Sequence, residues 1–175
     1  MAGQKQVFEL LIRRNNGALY KVGRSYGFSH ATVHDLMHDL MQDTYVAAHQ
    51  ALGKFEARAT FKTWLIRIML NHGYQWSRKA AHQPQPAAMP TMNDALNSPH
   101  GPSSDGHQKI LNREIGAVLA HCIQALPPAY RLVFVLRELE GLRNQETALA
   151  VDIKKTNVDA RLSRAKGLLR KQLES

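Results

Sequence analysis

Polar side chains recur at one-turn intervals along the segment TFKTWLIRIMLNHGYQWSRK, residues 60–79. On a helix, at about 100° per residue, they form a single stripe: Thr63, Arg67, Asn71, Tyr74 and Arg78. The opposite face is apolar and carries Phe61, Trp64, Leu65, Ile68, Met69 and Trp76. Guanidiniums, an amide, hydroxyls and an aromatic ring can hold phosphates and can stack on or hydrogen-bond to bases. The stripe is therefore a candidate nucleic-acid contact, and the solvated face of an ordinary amphipathic helix is the alternative.

A second polar set is acidic and lies on a helix predicted from about Thr32 to Leu52. One side of this helix aligns Asp35, Asp39 and Gln42, with Asp43 at the edge. The side predicted to be buried carries Leu36, Leu40, Met41, Thr44, Ala47 and Ala51. Acidic residues grouped on one helix of an otherwise basic half favour a docking surface for a basic partner, and a solvated face remains the alternative.

The C-terminal segment LRNQETALAVDIKKTNVDARLSRAKGLLRKQL has a helix-turn-helix pattern, with a tight turn at 151–153. The inward stripe consists of Val151, Ile153, Val158, Leu162, Ala165 and Leu169. The outward stripe consists of Thr156, Ala160, Ser163 and Gly167, flanked by Asn157, Asp159, Arg164 and Lys171. Small residues in the middle and basic residues at the margins suit a helix that lies deep in a DNA groove.

The remaining elements are also predicted to be helical. Residues 7–22 predict one bent helix or two short ones, interrupted at 15–17 and carrying Phe8, Leu11, Ile12, Leu19 and Tyr20, and residues 25–28 predict a turn. Thr60 is a good N-cap, and the pair Pro127 and Pro128 opens a helix that runs through Glu140 and closes at Gly141. Another apolar stripe is predicted to be buried: Ile110, Leu111, Ile115, Val118, Leu119, Cys122, Ile123 and Leu126.

Charge and composition divide the chain into two basic blocks. The net charge of +9 favours a polyanionic partner, with nucleic acid ahead of a membrane surface. Residues 81–108 contain no Lys or Arg and hold five of the seven prolines, the composition of a flexible linker. We therefore predict an all-α chain of two small helical domains, 1–80 and 109–175, joined by the linker 81–108, the second domain being a helix-turn-helix domain.

Other classes of function find little support. His34 and His38 are spaced for a metal but lack a third ligand, and no catalytic pair or phosphate-binding glycine loop is visible, so neither metal, cofactor nor catalysis is predicted. The single cysteine cannot form an internal disulfide, which favours a reducing cytoplasm. The sequence has no apolar run long enough to insert in a membrane and no signal-peptide layout at the N-terminus.

Four segments in this order resemble bacterial RNA polymerase sigma factors of the extracytoplasmic-function type, in the sigma-70 superfamily. They are DLMQDTYVAAHQAL, FEARATFKTWLIRIMLN, ALPPAYRLVFVLRELEGL and VDARLSRAKGLLRKQL. The resemblance implies a subunit that docks on core RNA polymerase, recognises the minus-thirty-five and minus-ten promoter elements and helps to open DNA. It also implies an anti-sigma factor or other inhibitory regulator as a partner. A stand-alone helix-turn-helix transcriptional regulator is the alternative function, and an enzyme ranks third.

The resemblance assigns residues to three contacts. Polymerase docking falls to Asp35, Asp39, Gln42 and Asp43. The residues expected to contact minus-ten DNA are Lys54, Phe55, Arg58, Thr60, Lys62, Thr63, Trp64, Arg67, Asn71 and Arg78. The loop from Lys54 to Thr60 is expected to capture a flipped base. Minus-thirty-five DNA falls to Lys155, Thr156, Asn157, Asp159, Ala160, Ser163, Arg164 and Lys166.

Four residues depart from the family pattern: Arg143 at a helix cap, Thr147 at an aliphatic position, Asp152 at a turn glycine, and Asp159 at a basic or neutral position. Asp can adopt the left-handed conformation that such a turn needs, at some strain. Asp159 has two interpretations. Its carboxylate accepts a hydrogen bond from a base, or it pairs within its own helix with Arg161, Ser163 or Lys166.

Overall fold

This computed structural model describes residues 2–25, 30–80 and 106–174, with side chains for 6–25, 37–76 and 114–174, and all the regular secondary structure among them is helical. The helices are α1 (Ala2–Ser25), α2 (His30–Ala51), α3 (Phe61–Ala80), α4 (Gly106–Ala125), α5 (Pro128–Phe134), α6 (Asn144–Val151) and α7 (Lys155–Leu173). A 3₁₀ turn, Leu52–Lys54, follows α2, and a π-helical turn, Val135–Leu139, continues α5. We call α1–α3 the first half and α4–α7 the second half. The predicted turn at 25–28 and the predicted linker lie largely outside the described residues.

Helix α1 is one continuous helix, so of the two predicted forms the pair of short helices broken at 15–17 is wrong. The Asn15 amide donates to the carbonyl of Leu11 within the helix, at 2.7 Å. Beyond Gly17, Leu19 and Val22 are fully buried against the other helices. Tertiary packing on both sides of the glycine therefore outweighs its low helix propensity. Tyr20, which was predicted on the apolar stripe, is 40% exposed and lies under the Arg24 guanidinium.

The core of the first half forms where α1, α2 and α3 meet. A Cβ at Gly23 would lie 2.5 Å from Met37 Cε and 2.6 Å from Met69 Cε, so the missing side chain leaves room for the ends of these two methionines. On α2 the buried arc runs through Met37, Leu40, Thr44 and Ala48. Ala47 and Ala51, which were predicted to be buried, are only half-buried, because the buried arc is rotated about the helix axis by about one residue from the predicted one. The side chain of Leu36 lies outside those described.

Local signals for helix ends are confirmed with one difference. The backbone N–H of Thr63 donates to Thr60 Oγ1 at 3.2 Å, so Thr60 caps α3 as predicted. Gly141 has φ +68° and closes the fifth helix. That helix does not run as a regular α-helix to Glu140, because the Glu140 N–H donates to the carbonyl of Val135, five residues back, at 2.9 Å.

The second half buries less of α4 than the apolar stripe predicts. Cys122, Ile123 and Leu126 are buried, which confirms Cys122 as a core thiol. Three residues predicted to be buried are instead exposed: Ile115, Val118 and Leu119. Among the described helices α4 packs mainly against α7. Ile110 and Leu111 lie outside the described side chains.

The two halves pack against each other. One hydrophobic cluster contains buried residues from both, and α6 lies against α3. This contact buries Ile66 and Leu70 of α3, which belong to neither face predicted from the sequence. Arg131 of α5 also crosses the boundary, since its Nε donates to the carbonyl of Ser25 at the end of α1, at 2.8 Å. Burial lowers the pKa of the Arg131 guanidinium.

Candidate nucleic-acid interface

The polar face of α3, which we define as Arg67, Asn71 and Tyr74, is exposed to solvent as predicted. Thr63 is not part of it: the residue is 2% exposed, and its hydroxyl lies 2.8 Å from that of Thr60. The prediction of an exposed Thr63 is wrong because tertiary packing covers that side of α3, which a single helix pattern does not reveal. The side chain of Arg78 lies outside those described.

The loop before α3 combines an unusual backbone with exposed charge. Ala57 has φ +53°, a conformation that costs energy for a residue with a side chain and that clusters at functional sites. Next to it, Arg58 pairs with Glu56 at 2.5 Å while its side chain stays 85% exposed. Lys54 at the start of the loop is also exposed. The sequence gives no signal for the strained Ala57.

Aromatic rings lie at the base of this loop. Phe55 contacts Phe61 edge to face, with centroids 5.7 Å apart, and Trp64 at 5.1 Å. Phe55 and Trp64 are half-buried, so each contributes to packing and keeps part of its ring accessible. Rings next to a strained, basic loop are groups on which an unpaired base can stack.

Lys62 faces the second half of the protein rather than open solvent. Its Nζ lies 2.6 Å from Glu140 Oε2 and donates to the carbonyl of Glu140 at 2.9 Å. The predicted DNA contact of Lys62 would therefore require it to leave these partners.

The acidic face of α2, which we define as Asp39, Gln42 and Asp43, is exposed in full. Val46, one turn further along, is 51% exposed on the same side and was missed by the sequence analysis because it is apolar. The side chains of Asp35 and His34 lie outside those described. The face therefore combines negative charge with an apolar residue, as protein contacts often do.

The outer face of α7 has the predicted arrangement. Val158, Ala165 and Leu169 are buried on the inner side. The outer side exposes Thr156, Asn157, Ala160, Ser163, Arg164 and Gly167. Asp159, Lys166 and Arg170 contribute to a shallow groove of about 480 Å³ along this face.

Asp159 has a partner that neither interpretation anticipated. Its Oδ1 accepts a hydrogen bond from Nδ2 of Asn144, the first residue of α6. The predicted pairing within α7 is wrong, and Lys166 pairs instead with Glu138 at 3.0 Å. A second polar contact joins the same two helices, because Lys155 donates to Gln145 Oε1 at 3.2 Å. The two contacts fix the start of α7 against the start of α6.

Three of the departing residues lie at the start, in the middle and at the end of α6, the first helix of the helix-turn-helix. Asp152 has φ 56° and ψ 50°, which confirms the predicted left-handed turn. At the start of α6, where Arg143 cannot accept a hydrogen bond, Glu146 Oε2 accepts from the Arg143 N–H at 2.9 Å and from its Nε at 3.3 Å. The backbone hydrogen bond is the main reason that the pKa of Glu146 is lowered, and the charges of Arg143 and Lys62 add to it while burial opposes it. Thr147 is fully buried, and its hydroxyl has no hydrogen-bond partner among the described residues.

None of the described helices is both long and apolar enough to cross a membrane. The described His, Cys, Asp and Glu side chains form no group of three placed to hold a metal ion.

Comparison with known proteins places these faces in two family regions. The Sigma-70 region 2 profile matches residues 11–83, which include α3 and the acidic face, and the Sigma-70 region 4 profile matches residues 117–169, which include the helix-turn-helix. The "ECF RNA polymerase sigma-E factor" of Escherichia coli K12 is 29% identical over 126 residues, covering 70% of this chain and 65% of the relative. The chain thus spans slightly less than two thirds of the length of that relative. The "RNA polymerase sigma-H factor" of Pseudomonas aeruginosa PAO1 is 29% identical over 98% of this chain and 89% of its own.

Solved structures share the fold. The sigma factor RpoE, in complex with the anti-sigma factor NepR from Bartonella quintana, matches with a TM-score of 0.68 at 20% identity, over 99% of this chain and 98% of its own. CnrH, in complex with the cytosolic domain of CnrY, matches with a TM-score of 0.62 at 24% identity, over 99% and 91%. The prediction of an all-α fold with two helical domains is confirmed. With both region profiles matching in order along the chain, this protein belongs to the extracytoplasmic-function group of the sigma-70 family.

Proposed function

We propose that the chain is a promoter-specificity subunit of bacterial RNA polymerase. The observation that carries the proposal is the exposed acidic face of α2 (Asp39, Gln42 and Asp43), which lies in the same half as the basic and aromatic residues of α3 and its loop. A surface for a basic protein and a surface for nucleic acid within one helical unit are what a subunit needs to bring polymerase to DNA. We place Asp35 with the acidic face from its position on α2.

Within this proposal the two halves contact different DNA. The polar face of α3 and the loop from Lys54 to Thr60 bind the minus-ten element as it opens, with Arg67 and Asn71 on the unpaired strand. The outer face of α7 reads the minus-thirty-five element in the major groove. The corresponding domains are 1–80 for minus-ten DNA and 109–175 for minus-thirty-five DNA, joined by the linker 81–108. Recognition rather than catalysis is the role of the chain, and the cytoplasm is its place of action.

An inhibitory protein partner belongs to the same proposal. Two solved structures of the same fold are complexes, one of the sigma factor RpoE with the anti-sigma factor NepR and one of CnrH with the cytosolic domain of CnrY. We infer a comparable partner for this chain. A stand-alone helix-turn-helix regulator fits less well, because it gives no role to the match over residues 11–83 or to the acidic face.

The docking step is tested by reversing charge. Asp39→Lys combined with Asp43→Lys should abolish co-elution with core RNA polymerase and leave the circular-dichroism melt nearly unchanged, because both side chains are exposed. Glu9→Lys combined with Glu114→Lys is the matched control: it makes the same change of net charge at exposed acids outside the acidic face. Normal co-elution of the Asp39 and Asp43 variant, or equal loss in the control, would contradict the docking assignment.

A further inference from the structure

A buried carboxylate lies at the boundary between the two halves. The Glu140 side chain is 5% exposed although it belongs to a surface-level turn at the end of the fifth helix. It follows the π-helical turn Val135–Leu139, in which one extra residue enters the helical repeat. Such turns are rare and often mark functional positions, which favours a functional role for the carboxylate.

Both cations paired with this carboxylate come from the other half of the chain. Lys62 Nζ of α3 lies 2.6 Å from Oε2, and Lys21 Nζ of α1 lies 3.2 Å from Oε1. The approach of Lys21 is electrostatic, since Oε1 accepts no hydrogen bond from the described residues. Lys62 also donates to the backbone carbonyl of Glu140 at 2.9 Å. The burial of Glu140 and its neutralisation therefore both depend on the contact between the halves.

The closed arrangement cannot serve both promoter elements at once. Elements centred near minus thirty-five and minus ten are separated by about 25 base pairs, or about 85 Å at 3.4 Å per base pair. A compact chain of this length has a radius of gyration of only about 16 Å. The outer face of α7 and the polar face of α3 therefore reach their elements together only if the two halves separate. The closed form is therefore a resting form, in which the chain does not contact both promoter elements.

The charges at the boundary suit a contact that can open. Burial of the Glu140 carboxylate costs solvation, which offsets part of its attraction to Lys62 and to the largely exposed Lys21, so the three charges hold the halves together only modestly. When the halves separate, the Glu140 carboxylate is hydrated again. Lys62 belongs to the set assigned to minus-ten DNA, and a phosphate would replace the carboxylate as its partner. DNA binding and closure thus compete for the same lysine.

We propose that Glu140 is an internal latch that holds the two halves closed through Lys21 and Lys62 and thereby limits the engagement of polymerase and promoter. Only the limit on polymerase and promoter engagement rests on the proposed sigma function, because closure itself is a property of the isolated chain. The contact of Arg131 with the Ser25 carbonyl supports the same closed form from a neighbouring position.

Small-angle scattering on the full-length chain tests closure without polymerase. Glu140→Gln removes an attraction to Lys21 and Lys62 that exists only in the closed form, so the radius of gyration should rise by several ångströms above that of the wild type while helicity is retained. Lys21→Gln, at a side chain that is 58% exposed and tolerant of substitution, should give a smaller increase. Glu138→Gln is the matched control, because its ion pair with Lys166 lies within the second half. It should leave the radius of gyration unchanged.

Run-off transcription with core RNA polymerase tests the consequence. Glu140→Gln should lower the protein concentration that gives half-maximal initiation on the order of fivefold, because the competent open form is more populated. An unchanged radius of gyration for both Glu140→Gln and Lys21→Gln would overturn the latch. Expansion without a lower half-maximal concentration would overturn its regulatory role. If wild type and variants alike fail to initiate, the proposed function and the regulatory role fall together, whereas the scattering result still decides closure.

Discussion

Thr147 and Thr44 are both fully buried, but only one of them is satisfied. The Thr44 hydroxyl donates to the carbonyl of Leu40 at 2.7 Å, whereas Thr147 Oγ1 has no partner among the described residues. An unsatisfied buried hydroxyl costs roughly 1–3 kcal/mol. Thr147→Val should therefore raise the free energy of unfolding by about 1 kcal/mol in denaturant titrations.

Thr44→Val is the control for this prediction. It has the same change of shape but removes a hydrogen bond, so it should lower the free energy of unfolding by about 0.5–1.5 kcal/mol. The prediction is contradicted if Thr147→Val destabilises the protein as much as Thr44→Val does.

Asp159 remains a candidate base reader, now with a neighbour that orients it. Because Asn144 holds Oδ1, the second oxygen of the exposed carboxylate is available to accept from a base amino group in the major groove. Such a contact contributes roughly 1–3 kcal/mol of discrimination. Asp159→Ala should relax preference at one position of the minus-thirty-five element, and Asn144→Ala should relax the same position less.

Binding to a panel of single-base promoter variants measures both effects. A pair that serves only to join α6 to α7 would lower thermal stability in both variants and leave the ranking of promoters intact. If Asp159→Ala leaves the ranking of the promoter variants unchanged, the base-reading role is contradicted.

The start of α6 depends on an acid rather than on the usual hydroxyl cap. The pKa of Glu146 is lowered in the folded protein, chiefly by the hydrogen bond from the Arg143 N–H. Its stabilising contribution is therefore present above the ordinary glutamate pKa and is lost as the pH falls through the lower, folded pKa. Glu146→Gln should reduce the free energy of unfolding by about 0.5–2 kcal/mol at neutral pH. The deficit should shrink on acidification.

Urea titrations of wild type and variant at neutral and acidic pH give the comparison directly. If the gap between the two proteins is the same at both pH values, ionised Glu146 does not stabilise the helix start.

The exposed side of α3 makes a separate prediction about strand opening. Arg67 and Asn71 have no packing role in the structure, so alanine at either position should leave polymerase binding nearly intact and reduce open-complex formation on duplex promoter. A template with a pre-melted minus-ten bubble should rescue much of the loss, since unpairing and unstacking cost a few kcal/mol. Equal defects on duplex and pre-melted templates would count against a role in opening.

Sequence patterns predicted the elements whose causes are local. The cap at Thr60, the left-handed turn at Asp152 and the glycine at 141 each follow from a residue and its immediate neighbours. Patterns failed where a distant element decides burial. Thr63 is covered because tertiary packing buries that side of α3, and the partner of Lys62 lies 78 residues away in the chain. Ile115 was predicted to be buried but is exposed for the same reason, because an apolar stripe in the sequence does not tell whether another helix packs on it.

The faces that we propose for polymerase and DNA are accessible while the two halves stay in contact. The acidic face of α2, the polar face of α3 and the outer face of α7 all remain exposed, although Lys62 is half-buried at the boundary and Thr63 is buried. The sequence predicted separate domains and gave no sign of a shared core, because apolar residues such as Ile66 and Leu70 have no assigned face until α6 is placed. Separation of the halves is then a step in the function rather than a fixed property of the fold.

Initiation by the purified chain with core RNA polymerase on a library of promoter fragments tests the proposed function. A promoter-specificity subunit should give RNA that starts at discrete positions, each preceded by separate minus-thirty-five and minus-ten elements, with no such products from core polymerase alone. RNA products identical to those of core polymerase alone would contradict the assignment of this chain as a promoter-specificity subunit.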